Sequence, residues 1–281
     1  MTIIVVIAKE CLPGRVKTRL HPALSYEGAA ELASASLDDT LETVNTVVRG
    51  HALAMLAEAA HSATGPARRI LAFDGVTPPP AAAGWEILPQ VDGELDERLA
   101  AIFDTCDEPT LLVGMDTPQL SAALLAPVLA DWAAAARPGP GLQRATTDAW
   151  FGPAADGGFW ALGLNQPTGA LIRGVAMSRD DTGSTQLTRL RDAGLRVRLL
   201  DTLTDVDTIE AATEVAALAP GGRFAATLAA LTAAAPTAPA PTAPAPTAPA
   251  PTAPAPTVAR VFAPAGTYPT PRPTSPATRR D

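Results

Sequence analysis

The sequence predicts an α/β protein with a mostly parallel central sheet and helices on both faces. The chain opens with a short apolar run, Thr2 to Ala8, which is rich in Ile and Val and too short for a buried helix of normal length. Further short apolar runs then alternate with segments of helical periodicity as far as Leu231. Residues 1–231 are therefore expected to form one domain. The Pro/Ala/Thr-rich residues 232–281 cannot bury apolar surface and are expected to form a disordered tail.

The charge and the cysteine content narrow the class of protein. The net charge is −8 over 281 residues, and the tail from Ala235 contributes +3, which leaves −11 for the rest. So acidic a domain is a poor general binder of nucleic acid. Cys11 and Cys106 form neither a disulfide framework nor a zinc set. The first apolar run lacks the basic segment of a signal peptide, and no stretch is long enough to span a membrane, so we expect a cytoplasmic protein.

Between Ser25 and Pro89 the sequence pattern indicates one helix and two short strands. Ser25 is suited to cap a helix from Glu27 to about Thr46, in which apolar residues recur with a helical period. The segment from His51 to Ala60 fits a strand or a helix equally. Short strands are expected at Arg69–Phe73 and Trp85–Pro89.

From Gly93 onward the chain continues the alternation of strands and helices. In chain order it is expected to contain a helix from Gly93 to about Asp104, a strand at Thr110–Gly114, a helix after Ser121, strands near Ala149–Phe151 and Phe159–Leu164, a helix from Thr182 or Ser184 to Asp192, a strand at Leu195–Leu200, and helices at Ile209–Leu218 and about Arg223–Leu231.

A basic loop (residues 9–19) follows the first strand. Since ligands of open α/β sheets bind at the carboxyl ends of the strands, the loop would lie at the ligand-binding edge. Closely spaced cations repel one another unless an anion joins them, and a phosphate chain is the natural partner. From charge alone, a solvated surface loop is an equally good interpretation. The candidate phosphate-binding residues are Lys9, Gly14, Arg15, Lys17, Thr18 and Arg19.

Two familiar phosphate loops are excluded by the spacing of this segment. A dinucleotide-binding fold requires G-x-G-x-x-G after its first strand, and this loop contains only Gly14. A P-loop requires G-x-x-x-x-G-K-[ST]; Lys17 and Thr18 match its end, but Val16 precedes them where the second glycine should be. The loop is therefore of another type.

Acidic residues recur where strands are expected to end. Asp116 directly follows the strand Thr110–Gly114, Asp156 precedes Gly157 and Gly158, and Asp205 and Asp207 lie just before a helix. Each alone is more typical of a helix cap or a turn. Beside a basic loop, however, carboxylates supply the hard oxygen ligands that Mg²⁺ or Mn²⁺ needs next to phosphates.

Five motifs occur in one order along residues 1–231 and together resemble a known family. The chain is similar to the GT-A-type transferases labelled selenodomain-associated transferase or arsenosugar-type glycosyltransferase, within the nucleotide-diphospho-sugar transferase superfamily, and more distantly to phospholactate guanylyltransferases. The motifs are A-K-x-x-x-P-G-x-V-K-T-R-L (Ala8 to Leu20), G-x-D-T-P-x-L (Gly114 to Leu120), G-P-A-x-D-G-G-F-W (Gly152 to Trp160), M-S-x-x-x-T-G (Met177 to Gly183) and D-V-D-T (Asp205 to Thr208).

The resemblance implies a single GT-A-like domain and a role for four of the five motifs. The basic loop would bind the phosphates of a nucleotide, and Asp116 would bind a metal ion, Mg²⁺ or Mn²⁺. Asp205 and Asp207 would complete the metal site. Asp156, with Gly157 and Gly158, would lie on the side of the acceptor, which is expected to be a small molecule.

Three functions remain open at this point. The first is a metal-dependent glycosyltransferase that uses a nucleotide-sugar, with Lys17 stabilising the leaving nucleotide and Asp156 positioning or deprotonating the acceptor hydroxyl. The second is a nucleotidyltransferase that joins a nucleoside triphosphate to a phosphorylated small molecule. Loops of that kind usually carry G-G-x-x-x-R-M, which favours the first. The third is a nucleotide-binding module without activity.

Overall fold

Seven strands form a single sheet at the centre of the folded part of the chain. The computed structural model describes residues 2–58, 67–135 and 147–234. The chain divides into two units, Met1–Pro236 and Thr237–Asp281. Residues 232–234 of the predicted disordered tail belong to a helix, and the rest of that tail, from residue 235 onward, lies outside the described residues. The strands are β1 Ile3–Lys9, β2 Arg68–Asp74, β3 Glu86–Pro89, β4 Thr110–Gly114, β5 Ala149–Pro153, β6 Phe159–Leu164 and β7 Val197–Leu199.

The order of the strands across the sheet is β3-β2-β1-β4-β6-β5-β7. All neighbouring pairs are parallel except those of β6, which runs antiparallel to β4 and to β5. The predicted mostly parallel α/β sheet is therefore confirmed, with one reversed strand. β1 lies between β2 and β4, and Ile3 to Val6 are fully buried, as its Ile/Val-rich sequence predicts.

Within the described residues, six α-helices accompany the sheet: α1 Tyr26–Glu58, α2 Leu95–Thr105, α3 Ala122–Ala135, α4 Thr182–Asp192, α5 Ile209–Leu218 and α6 Arg223–Ala234. The Ser25 side chain accepts a hydrogen bond from the Gly28 amide at 3.1 Å, so it caps α1 as expected. α1 continues twelve residues beyond the predicted end at Thr46, which settles the ambiguous segment after His51 as helix as far as Glu58.

The core has two layers, one on each face of the sheet. Successive residues of β1 belong to different layers, because the side chains of a strand point alternately to opposite faces. Ile4 and Val6 pack in a cluster that includes Leu41 of α1 and Val128 of α3. Ile3 and Val5 pack on the other face in a cluster that includes Phe103 of α2 and Leu190 of α4. These two clusters cover both faces of the sheet with helices. A third cluster joins α1, α5 and α6.

The two edge strands are short. β3 has four residues and ends at Pro89, and its Glu86 pairs with Arg68 of β2 at 2.7 Å. β7 has three residues, and the guanidinium carbon of its Arg198 lies 4.6 Å from the ring centroid of Trp150. Charged and aromatic contacts therefore occupy both rims of the sheet.

The direction of the strands brings the candidate motifs to one edge of the sheet. β1, β4 and β5 are parallel, so their carboxyl ends at Lys9, Gly114 and Pro153 lie on the same side. β6 runs the opposite way and starts on this side at Phe159, which places the turn between β5 and β6 there too. Of the helices in the described ranges, none is both long enough and apolar enough to cross a membrane.

Candidate functional site

Lys17 is the most enclosed charged group at this edge. Its backbone is in the left-handed region with a φ of 47°, just before a 3-10 turn at Thr18–Leu20. Its ammonium lies 2.8 Å from Asp116 Oδ1 and 3.1 Å from Asp207 Oδ1, and the side chain is 8% exposed. Burial acts against the charge, but the two carboxylates outweigh it and raise the pKa of Lys17. Lys17 is therefore firmly held in the cationic form.

The other cations of the basic loop lie at the surface. Arg19 donates to Asp207 Oδ2 at 2.8 Å, although its side chain is 76% exposed. Lys9 and Arg15 are exposed, and neither has an ion-pair partner in the part of the chain that the structure describes. Gly14 adopts a φ of 74° with no atom near the position of a Cβ. The loop thus combines one buried, paired cation with two unpaired cations at its rim.

Asp116 is positioned by contacts on both sides of it. The preceding residue, Met115, accepts a hydrogen bond from the Ser36 hydroxyl at its carbonyl (2.7 Å) and one from the Lys9 amide at its sulfur (3.3 Å). The Asp116 carbonyl accepts from the Val206 amide at 3.1 Å. The ends of β1 and β4, helix α1 and the segment 205–207 are therefore joined at this point.

Asp205 is the most strongly perturbed carboxyl group of the site. Burial raises its pKa to about 7, and the nearby charges of Asp156 and Asp116 act in the same direction. Its Oδ1 is buried and has no hydrogen-bond partner among the described residues. The carboxylates at positions 116, 156 and 205 therefore share one electrostatic environment, in which Asp205 carries a proton part of the time near neutral pH.

The D-G-G loop (residues 154–158) presents Asp156 to solvent. The Asp156 Oδ1 accepts from the Gly158 amide at 2.8 Å. Gly157 has a φ of 90°, and its carbonyl accepts from the Gly183 amide at the start of α4 at 2.7 Å. A Cβ on Gly157 would lie 2.0 Å from the Asp180 carbonyl oxygen. The loop is therefore locked against residues 180–183 by backbone contact.

The structure brings together most of the predicted site residues, but not all of them. Lys17 and Arg19 of the basic loop contact the acidic groups directly, whereas Lys9 and Arg15 do not. Cys11, in the same loop, is not an activated thiol, because burial first, and then Asp116, raise its pKa to about 11.

Gln90 is a polar residue of this edge that the sequence analysis missed. Its Nε2 donates to the carbonyls of Ala8 (2.9 Å) and Ala72 (2.7 Å), at the ends of β1 and β2, and its Oε1 is buried without a hydrogen-bond partner among the described residues. The sequence could have indicated Gln90 as a residue of this edge, because it directly follows the predicted strand Trp85–Pro89. Gln90 fixes the spacing of the two strands that precede the basic loop and the Asp74–Gly75 turn.

The arrangement can be tested against the metal ion that the resemblance implies. Carboxylate oxygens suit Mg²⁺ or Mn²⁺ chemically. Yet the Lys17 ammonium lies between Asp116 and Asp207, and Arg19 engages the other oxygen of Asp207. Across residues 2–58, 67–135 and 147–234, no group of three His, Cys, Asp or Glu side chains is placed to hold a metal ion. As they stand, these residues do not fit a divalent metal ion.

Comparison with known proteins identifies a matching family model and a solved structure of similar fold. The model of a family described as "Uncharacterized protein conserved in bacteria (DUF2064)" matches residues 51–179. A "putative nucleotide-diphospho-sugar transferase" from Desulfovibrio desulfuricans G20 is similar in structure, with a TM-score of 0.63 and 22% sequence identity, over 83% of this chain and 96% of that one. The comparison with curated proteins gave no match.

Two further solved structures resemble the chain more distantly. One is CMP:2-keto-3-deoxy-manno-octonic acid synthetase complexed with CTP, with a TM-score of 0.41 and 12% identity over 78% of this chain and 98% of that one. The other is Rv0371C of Mycobacterium tuberculosis H37Rv in complex with manganese, with a TM-score of 0.35 and 18% identity over 76% and 96%. Both TM-scores are too low to inform the site. The chain therefore matches the DUF2064 model over residues 51–179 and shares its fold with the "putative nucleotide-diphospho-sugar transferase" of Desulfovibrio desulfuricans G20.

Proposed function

We propose that this protein is a glycosyltransferase that uses a nucleotide-diphosphate sugar as its donor. The observation that carries the proposal is the basic loop at the carboxyl edge of the sheet. There, the Lys17 ammonium is buried, and Lys9 and Arg15 of the same loop are exposed cations with no ion-pair partner among the described residues. The fold, which is that of a "putative nucleotide-diphospho-sugar transferase", supports a transferase that uses a nucleotide.

The basic loop would bind the donor diphosphate. An ammonium has three N–H donors, and two of those on Lys17 are directed to carboxylates, so one remains for a phosphate oxygen. Lys9 and Arg15 add positive charge at the rim, and the open space at Gly14 lets the backbone approach the phosphates. When the sugar–oxygen bond breaks, the leaving nucleoside diphosphate gains charge that these groups stabilise.

The D-G-G loop would bind the acceptor. Asp156 is exposed on a loop held by backbone contacts, so its carboxylate is fixed in position before an acceptor arrives. As the acceptor oxygen bonds to the sugar carbon, its proton passes to Asp156. No step of this mechanism depends on the predicted Mg²⁺ or Mn²⁺.

The proposal predicts a large kinetic effect for Lys17→Ala. A panel of nucleotide-sugars and nucleoside triphosphates is first screened for a rise in the melting temperature, and turnover is then measured with the stabilising donor and a set of small-molecule acceptors. Lys17→Ala should lower kcat/KM by roughly 10²–10³, the scale for losing one preorganised charge-stabilising group.

A matched control separates this effect from a general loss of positive charge. Arg49→Ala removes an exposed cation that pairs with Glu42 on α1, away from the candidate site, and should leave kcat/KM unchanged. Stabilisation by triphosphates alone, with release of pyrophosphate, would show nucleotidyl transfer instead. Binding without turnover over the whole acceptor panel would show a nucleotide-binding module.

A further inference from the structure

The acidic pair Asp116–Asp207 already holds a cation that belongs to the chain itself. Lys17 Nζ lies 2.8 Å from Asp116 Oδ1 and 3.1 Å from Asp207 Oδ1, which are hydrogen-bonded ion-pair distances. The Lys17 side chain that bridges the two carboxylates is only 8% exposed, whereas the carboxylate side chains are 44% and 43% exposed, so solvent screens these contacts only in part. One of the two negative charges of the pair is therefore balanced by Lys17 before any ligand binds.

A divalent ion cannot share this place with the ammonium. Mg²⁺ requires oxygen ligands at about 2.0–2.1 Å in near-octahedral geometry. An ion coordinated by the two Oδ1 atoms would lie next to Lys17 Nζ and repel it. The remaining oxygen of Asp207 offers no alternative, because Arg19 donates to it at 2.8 Å.

We propose that Lys17 is the resident cation of the Asp116–Asp207 pair, and that the free protein consequently excludes Mg²⁺ and Mn²⁺ from these carboxylates. This differs from the metal site on Asp116 that the family resemblance implies. The proposal concerns the protein without nucleotide, so it does not depend on which transfer reaction the protein performs.

The experiment is a titration of Mn²⁺ alone into the full-length protein, followed by electron paramagnetic resonance of the free ion. Wild type should show no Mn²⁺ uptake that depends on Asp116. Lys17→Ala removes the resident cation and frees the Oδ1 atoms of Asp116 and Asp207 that it contacts. This variant should bind one Mn²⁺ at least about tenfold more tightly than wild type, because a positive charge next to the ligands is gone.

Three variants make the result specific. Arg15→Ala removes one charge from the same loop without emptying the place between the carboxylates, and Lys17→Arg keeps a cation there; both should behave like wild type. Adding Asp116→Asn to Lys17→Ala should abolish the new binding. Circular dichroism confirms that each variant is folded.

Several outcomes would overturn the proposal. Wild-type uptake of Mn²⁺ that disappears with Asp116→Asn would do so alone, even if Lys17→Ala failed to fold. A folded Lys17→Ala protein with no gain in affinity would show that Lys17 does not exclude the ion. An equal gain in Arg15→Ala would show that overall charge, rather than the position of Lys17, controls metal binding.

Discussion

The basic loop and the D-G-G loop lie at the same edge of the sheet but are held by different forces. Lys17 and Arg19 anchor the basic loop through ion pairs to Asp207, and Lys17 also pairs with Asp116. The D-G-G loop is instead held by backbone contact, since the Gly157 carbonyl accepts from the Gly183 amide at 2.7 Å. Ion pairs can exchange partners when an anionic ligand arrives, whereas a tight backbone contact cannot. One side of the site is therefore adaptable and the other is rigid.

The largest loss of stability is expected from adding a methyl group to Gly157 in the D-G-G loop, the rigid side of the site. Gly157→Ala would place a Cβ 2.0 Å from the Asp180 carbonyl oxygen and force a non-glycine residue to a φ of 90°. We expect a loss of about 3 kcal/mol in the free energy of unfolding, and a fall in Tm on the order of 10 °C, measured by thermal denaturation.

Gly14→Ala is the matched control on the adaptable side. Its φ of 74° is similar, but no atom lies within 4 Å of the added Cβ. Only the backbone cost of about 1 kcal/mol should appear. Equal losses in the two variants would mean that the contact with Asp180 does not hold the D-G-G loop.

A smaller change in stability, which depends on pH, is expected from Asp205→Asn. Burial and the neighbouring carboxylates raise the pKa of Asp205 to about 7 in the folded protein, above its ordinary value. The folded state therefore binds this proton more tightly than the unfolded state, and wild type loses stability as the pH rises from about 4 to about 7. Asp205→Asn should be more stable than wild type by about 1–3 kcal/mol at pH 8.

The difference between the two proteins should vanish as the pH falls toward 4. Urea unfolding of both across this range, with a chelator present, measures it. A constant difference would show that the environment between the two loops does not perturb Asp205.

The smallest loss of stability is expected from Arg19→Ala in the basic loop, the adaptable side of the site. Arg19 is 76% exposed, and exposed ion pairs contribute between zero and about 1 kcal/mol. We expect a loss within this range that disappears in high salt, because salt screens surface charges. Urea unfolding at low and high salt measures it, and a large loss that persists in high salt would contradict an ion-pair anchor.

The fold could be predicted where local sequence carries the signal. Thr110–Gly114 and Ile209–Leu218 have the bounds that their apolar patterns predicted. The end of α1 was missed because Ala- and Leu-rich sequence after His51 suits either type of element. The reversal of β6 was not predicted either, since the direction of a strand depends on its neighbours β4 and β5 rather than on its own residues.

The candidate site was predicted as a set of residues but not as an arrangement. The sequence shows Lys17 among other cations, which suggests a group free to meet phosphate. Its partner Asp207 is 190 residues away along the chain, and no local pattern connects the two. The same limit applies to Gly157, whose contact with Asp180 arises only when α4 packs beside the D-G-G loop.

The short, charged rims of the sheet affect how the folded protein behaves at high concentration. An open edge strand exposes unpaired amides and carbonyls on which a second chain can add a strand, which is the first step of many aggregates. β3 offers four residues that end in a proline without an N–H, with Glu86 held by Arg68. β7 offers three residues, with Arg198 held over Trp150. Neither edge strand provides a long, flat template, so the sheet resists strand-by-strand association.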